Sequence, residues 1–250
     1  MHAKPVCRIL VVLCMLASAV AASAQAQPTN AYFVADGRDN NTRVYSVASN
    51  QLLETLRLGS SPTGLAISSN QRLAFFSYIN SNYISVADLT GAGELTRINL
   101  GVPSSLALSA DGATLAASAS TSVNGNSVAI VNTGTFGVTQ VSLSGQICDS
   151  AAPPNCPAQP NTGQLAIAGQ SVYVSNGAGL QVAGVNLGTQ QIIPIQGTVS
   201  TGAIVASPEG RYIIESDQGP TGGGGLGVID STTNTHSLAR AWYCGRPSLV

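Results

Sequence analysis

Catalysis by a base, a nucleophile or a metal needs several reactive side chains brought together, and this 250-residue sequence offers few. Beyond residue 27 it contains one histidine, His236, three cysteines, Cys148, Cys156 and Cys244, and eleven carboxylates. His236 opens a strand-length run on the side away from the long loops and reads as a surface residue, and no Ser-His-Asp or Cys-His arrangement can be assembled around it. No catalytic residue is assigned. Asp36, Asn176, Glu215 and Asp217 are the oxygen donors that a calcium-dependent hydrolase would converge on a central channel. The same residue types after strands are also ordinary turn formers. Asp36-Gly37-Arg38-Asp39-Asn40-Asn41 lacks the spacing and terminal glutamate of a calcium-binding hand and reads as a turn. Gly222 to Gly225 is followed by neither a Lys-Ser/Thr pair nor a helix, so it reads as a loop tip and not a phosphate loop. The expectation is no cofactor and no metal.

The cysteines need a compartment before they can be read. Lys4 and Arg8 precede an apolar run from Ile9 to Ala22, and Ala22-Ser23-Ala24 or Ala24-Gln25-Ala26 supplies a small-residue cleavage site. Residues 1–26 therefore read as an export signal, with a retained anchor as the alternative. That leaves 27–250 as a domain without a spanning segment, in the periplasm, at the cell surface or outside the cell. In that setting Cys148 and Cys156, with seven residues between them that include Pro153 and Pro154, read as a disulfide pinning a loop. Closing so short a loop is worth roughly 2–3 kcal/mol. Cys244 is left over, as a free thiol or the partner of a cysteine elsewhere.

From Gln27 onward eight arginines and no lysine face the eleven carboxylates, a formal charge of −3. Nucleic acid and anionic membrane are poor partners for such a chain, since each requires a basic face to displace counterions. Ser, Thr, Asn, Gln and Gly supply the polarity instead, as suits β-structure with short turns.

The elements that would position any site follow from an internal repeat. Pro62-Thr63-Gly64-Leu65-Ala66-Ile67-Ser68 recurs 41 residues later as Pro103-Ser104-Ser105-Leu106-Ala107-Leu108-Ser109. Weaker copies follow at Asn161 to Ala168 and Thr201 to Ser207, and a fifth begins at Gly245-Arg246-Pro247-Ser248-Leu249. Between the anchors lie three further strand-length runs per unit, beginning with Ala31 to Ala35, Arg43 to Ala48 and Leu52 to Leu58. Four strands per period of about forty residues, with alternating patterning and no helical stripe, predict a β-propeller of four-stranded antiparallel blades with about five units present. A β-sandwich is the competing all-β architecture.

Ser109-Ala110-Asp111-Gly112 and Ser207-Pro208-Glu209-Gly210 after the anchors, Val172-Tyr173-Val174-Ser175-Asn176, and Val228-Ile229-Asp230-Ser231-Thr232 resemble the YVTN-type propeller repeats of bacterial and archaeal exported and surface proteins. The resemblance spans nearly all of residues 31–250. Its motifs imply architecture and carry no reaction, because such proteins include surface and scaffold proteins as well as relatives of sugar-lactone hydrolases. Ser69-Asn70-Gln71 departs from the Asp-Gly turn, so that turn is expected to differ. The resemblance also implies more than five blades, so a larger ring is expected over one closed by Pro247 to Val250.

Antiparallel order sorts the loops. Links from second to third strand, and from fourth strand to the next unit, leave on one side. The irregular segments Asp36 to Asn41, Ser120 to Asn126, Asn176 to Gly179, Asp217 to Gly225, Cys148 to Asn161 and Tyr243 to Pro247 all fall there. Asp36, Arg38, Asp39, Asp217, Trp242, Tyr243 and Arg246 form the candidate interaction face, because long loops on a rigid scaffold commonly carry function. Irregular loops also simply tolerate drift, and Trp242 and Tyr243 also suit packing between blades. The expectation is an exported, non-enzymatic binding or scaffold module with a protein or glycan partner. The alternative is a lactonase-type hydrolase using the central channel.

Overall fold

The computed structural model describes residues 31–36, 41–58, 62–68, 70, 72–78, 80–89, 93–121, 125–143, 163–175, 182–195, 201–217 and 225–241. These form strands and turns only, in five antiparallel sheets. The first holds β1 (Ala31–Asp36), β2 (Asn41–Ser46) and β3 (Leu52–Arg57). The second holds β4 (Gly64–Ile67), β5 (Leu73–Ser77), β6 (Tyr83–Asp88) and β7 (Gly93–Asn99). The third comprises β8 (Val102–Leu108), β9 (Thr114–Thr121), β10 (Gly125–Asn132) and β11 (Val138–Ser142). The fourth comprises β12 (Leu165–Ala168), β13 (Ser171–Val174), β14 (Ala183–Asn186) and β15 (Ile192–Pro194), and the fifth β16 (Thr201–Ala206), β17 (Tyr212–Asp217), β18 (Gly225–Asp230) and β19 (Thr235–Ala241). Strands neighbour one another in chain order within every sheet, as in propeller blades.

The core is a set of layers between consecutive blades. Because successive side chains point to opposite faces of a strand, one blade feeds two layers. The cross-strand pair Ile67 and Ala74 faces back toward the first blade, while the adjacent pair Ala66 and Phe75 faces forward to the third. The layers are Val44, Leu56 and Leu58 against Ala74, Phe76 and Tyr78; Phe75, Val86 and Ile98 against Leu115, Ala117 and Val131; Ala116, Val128 and Val141 against Val172, Val174 and Val185; and Ala166, Tyr173 and Val182 against Ile204, Ile213 and Ile229. Each fully buried aliphatic or aromatic side chain contributes about 1.5–3 kcal/mol.

Serine recurs at one position of the second strand for a backbone reason. Ser118, Ser175 and Ser216 accept hydrogen bonds through Oγ from the N–H groups of Ser105, Gln164 and Ala203, at 2.9, 3.0 and 2.9 Å. In the third and fifth blades the innermost strand slips register beside this point, between Pro103 and Leu106 and between Thr201 and Ile204. The hydroxyl satisfies a donor that the ladder leaves unpaired.

Both turn types on the opposite side also repeat. After the innermost strand, Ser109 Oγ donates to Asp111 Oδ1, which accepts from Ala113 N–H, and Thr114 N–H donates back to Ser109 Oγ. Ser68, Asn70, Arg72 and Leu73 make the same three bonds, at 2.7, 3.0 and 2.9 Å. In these three bonds the turn matches, because an amide oxygen accepts as a carboxylate does. Between third and fourth strands the backbone closes by Asn50 N–H to Ser46 O, Phe136 to Asn132, Gln190 to Asn186 and Asn234 to Asp230, with Asn50, Phe136, Gln190 and Asn234 at φ 55–60°.

Among the described residues, no helix is long and apolar enough to cross a membrane. The expected signal at 1–26, the Cys148–Cys156 pair and Cys244 lie outside the described residues.

Candidate functional site

Blade topology puts the links between second and third strands, and those between one blade and the next, on one side of the stack. Asp36 ends β1 opposite Asn41, and Asp217 ends β17 opposite Gly225, so the two aspartates occupy matching positions at this rim in the first and fifth blades. Arg38, Asp39, Trp242, Tyr243 and Arg246 lie outside the described residues.

One step below that rim, the fifth blade departs from its neighbours. Glu215 stands where the other blades place Phe76, Ala117 and Val174, on the face packed against the preceding blade. Its carboxylate is fully buried, and His236 Nε2 lies 2.8 Å from Oε1 with the imidazole 5% exposed. His236 is therefore not the surface residue that the sequence suggested. It replaces Glu94, Val138 and Ile192 of the other blades, and the fold folds it over the strand between.

That strand, β18, allows the approach only because residue 227 is glycine. A Cβ there would stand within 2.4–2.7 Å of Glu215 Oε1, His236 Nε2 and Glu215 Cγ. The corresponding residues of the second, third and fourth blades, Ser85, Ala129 and Ala183, are also small. The pair is buried on the face that carries Ile213 and Ile229 toward the fourth blade. It is a structural pair across three strands. Of the oxygen-donor set considered from sequence, Asn176 lies outside the described residues, and the described residues contain no group of three His, Cys, Asp or Glu placed to hold a metal.

Two further polar arrangements are built into the blades. Arg97 grips both oxygens of Glu94 at 2.7 and 2.8 Å and lies 4.6 Å over the Tyr83 ring, while Ser85 Oγ donates to the same carboxylate. The Arg97 fork, aided by Ser85, holds the Glu94 carboxyl below its ordinary range. Nearby, burial pushes the Tyr78 phenol up to about 12. In the fourth blade Tyr173 Oη donates to Asn234 Oδ1 of the fifth at 2.7 Å, tying a strand to the next blade's left-handed turn.

On the turn side, an open cleft of about 510 Å³ lies between the third and fourth blades, lined by Ser109, Asp111, Thr114, Gly169, Gln170 and Leu187 among others. Sequence reasoning missed it, because it forms where turns 60 residues apart meet. Asp111 is committed to Ser109 and Ala113, and those bonds lower its pKa, so the cleft presents one carboxylate already engaged in its own turn.

No protein-family model matches the chain, and no curated protein matches it. Solved structures do. Hydrazine synthase of Kuenenia stuttgartiensis aligns over 86% of this chain and 63% of its own, at 15% identity and a TM-score of 0.65. Dihydro-heme d1 dehydrogenase NirN, in complex with DHE, aligns over 87% of this chain and 44% of its own, at 16% identity and a TM-score of 0.61. The chain thus spans less than two thirds of each neighbour. At such identity the likeness establishes the fold, and the fold is a β-propeller.

Proposed function

We propose that the chain is an exported, non-enzymatic propeller module of the YVTN-repeat kind, presenting the rim of Asp36, Arg38, Asp39, Asp217, Trp242, Tyr243 and Arg246 to a protein or glycan partner. The reading rests on the matching placement of Asp36 and Asp217 at the rim from which the long links depart, above blades locked by continuous apolar layers. A rigid stack carrying irregular loops on one side is how repeat scaffolds display binding surfaces.

Catalysis is the second reading, because both solved neighbours bear enzyme names. The residues best suited to acid–base work, Glu215 and His236, are engaged with each other inside a blade interface. Purified protein exposed to a glycan panel and to surface proteins should bind through the rim. Asp36→Ala with Asp39→Ala, and Trp242→Ala with Tyr243→Ala, should each abolish binding that Asp111→Asn on the turn side leaves intact. Lactone turnover with stoichiometric calcium would replace this reading with the hydrolase.

A further inference from the structure

The cleft between the third and fourth blades has a cause in the sequence. Leu108 ends β8 and Thr114 opens β9, so residues 109–113 make the innermost turn of the third blade, and residues 68–72 and 207–211 make turns of the same length in the second and fifth. In the fourth blade only Gly169 and Gln170 stand between β12 and β13. The wall that a full-length turn would raise is absent, and about 510 Å³ of open space lies against the turn of the third blade. That volume falls within the range of small-molecule sites. The short turn is held in place, because Gly169 N–H donates to Gly210 O of the fifth blade at 2.7 Å and Leu187 N–H donates to Gln170 O at 2.9 Å.

The groups around this space are oxygen acceptors beside apolar surface. Asp111 uses Oδ1 for both bonds of its turn, from Ser109 Oγ and Ala113 N–H, and Oδ2 stays outside them. The Ser109 bond foremost, with that from Ala113, lowers its pKa and keeps the carboxylate charged. Thr114 shares a strand face with Ala116, which packs toward the fourth blade, and its bond to Ser109 engages the N–H and not the hydroxyl. Gln170 is exposed and enters the turn's bonding through its backbone carbonyl, not its side-chain amide. Leu187 is half-buried against the layer that holds Val172 and Val185. Among the described residues that line the cleft there is no cationic side chain.

We infer that this cleft binds a primary ammonium group carried on a short alkyl stem. Such a group is a compact charge with three N–H donors, and Asp111 Oδ2, Thr114 Oγ1 and Gln170 Oε1 are acceptors on the residues of one cleft. The stem lies on Leu187 and Ala110, which line the same space. A guanidinium fork is the poorer match, since it needs two carboxylate oxygens in parallel and Oδ1 is already taken by the turn. The site is on the turn side of the stack and does not depend on binding at the rim.

Titration of the isotope-labelled chain with butylammonium chloride at neutral pH, followed by amide resonances, tests the inference. The resonances of Asp111, Gly169 and Gly188 should shift saturably, and added sodium chloride should weaken the binding. Butanol, which lacks the charge, and tetramethylammonium, which lacks N–H donors, should leave those resonances in place at the same concentration. Asp111→Asn should weaken binding about fivefold, the scale of a surface charge contact, with the turn intact because Asn70 makes the same three bonds in the second blade. Gln170→Glu, which adds a carboxylate at an exposed position, should tighten binding by a similar factor. Absence of saturable shifts in the unaltered chain, equal shifts with butanol or tetramethylammonium, or binding that neither variant changes overturns the inference.

Discussion

Glu215 and His236 meet at 2.8 Å across β18, each buried, in a gap that exists because Gly227 has no side chain. The other blades fill the Glu215 position with Phe76, Ala117 and Val174, so the fold itself does not demand a charge there. Removing one partner leaves the other buried and uncompensated, a loss of about 3–5 kcal/mol for related pairs. Glu215→Val alone should therefore be strongly destabilising in urea unfolding. Glu215→Val combined with His236→Ile, which installs the residues of the fourth blade at both positions, should recover most of that loss. A double variant no more stable than the single one would mean that the two side chains are not coupled.

Gly227→Ala probes the same gap from the middle strand. Its methyl group would enter space occupied by Glu215 Oε1 and His236 Nε2, both held by packing. The expected cost is about 1–3 kcal/mol, as for an overpacked core. Placed on the double apolar background, where shorter side chains flank residue 227, the alanine should be better tolerated, so the two effects should be non-additive.

The repeated serines give a ranking. Ser118 and Ser175 are fully buried, whereas Ser216 is half-exposed. Each serine-to-alanine change strands one backbone N–H, of Ser105, Gln164 or Ala203. A donor cut off from water loses about 1–3 kcal/mol, and one that water can reach loses less. Denaturation midpoints should fall further for Ser118→Ala and Ser175→Ala than for Ser216→Ala. Equal losses at all three positions would show that exposure does not govern the bond.

Acid titration should find Asp230 late. Bonds from Thr232 and the guanidinium of Arg211 bring its pKa down to about 2. A carboxyl depressed in the folded state contributes stability above its unfolded pKa near 4 and loses it as pH falls through its folded value. The contribution should therefore fade between about pH 4 and pH 2. Asp230→Asn should remove that part of the acid dependence, and side-chain carbon chemical shifts of Asp230 should move only below pH 3 or so. Titration of Asp230 near 4 would show that the turn does not hold it.

The strands were legible because alternation and the anchor repeat agree. Arg43 to Ala48 was expected where Asn41–Ser46 forms, and Leu52 to Leu58 where Leu52–Arg57 forms. At Asn70 the side-chain bonds follow the Asp111 pattern despite the different residue name, because that pattern depends on an oxygen acceptor. The Glu215–His236 pair was hidden because its members lie 21 residues apart on strands that are not neighbours, and His236 began a run that looked exposed. One signal was available: aligned blades put an acid in an apolar column, beside the smallest residue of a column that is small in the second to fifth blades. Of the candidate rim, only the strand-end positions of Asp36 and Asp217 fall among the described residues, and their match follows from the repeat alone.

The left-handed turn residues separate backbone strain from packing. Phe136 and Gln190 occupy equivalent positions at φ 58° and 60°, a conformation that costs a side-chain-bearing residue roughly 1 kcal/mol and glycine almost nothing. Gln190 is exposed, so Gln190→Gly should raise the unfolding midpoint by relieving that cost, less what a more flexible unfolded chain takes back. Phe136 packs against the layer between the second and third blades, with Phe75 and Leu115 among its members. Phe136→Gly gains the same backbone relief but forfeits the ring's burial, worth about 1.5–3 kcal/mol when complete, and should lower the midpoint. Thermal unfolding of the two variants should move in opposite directions. Destabilisation by Gln190→Gly to the same extent as Phe136→Gly would show that packing is not what separates the two turns.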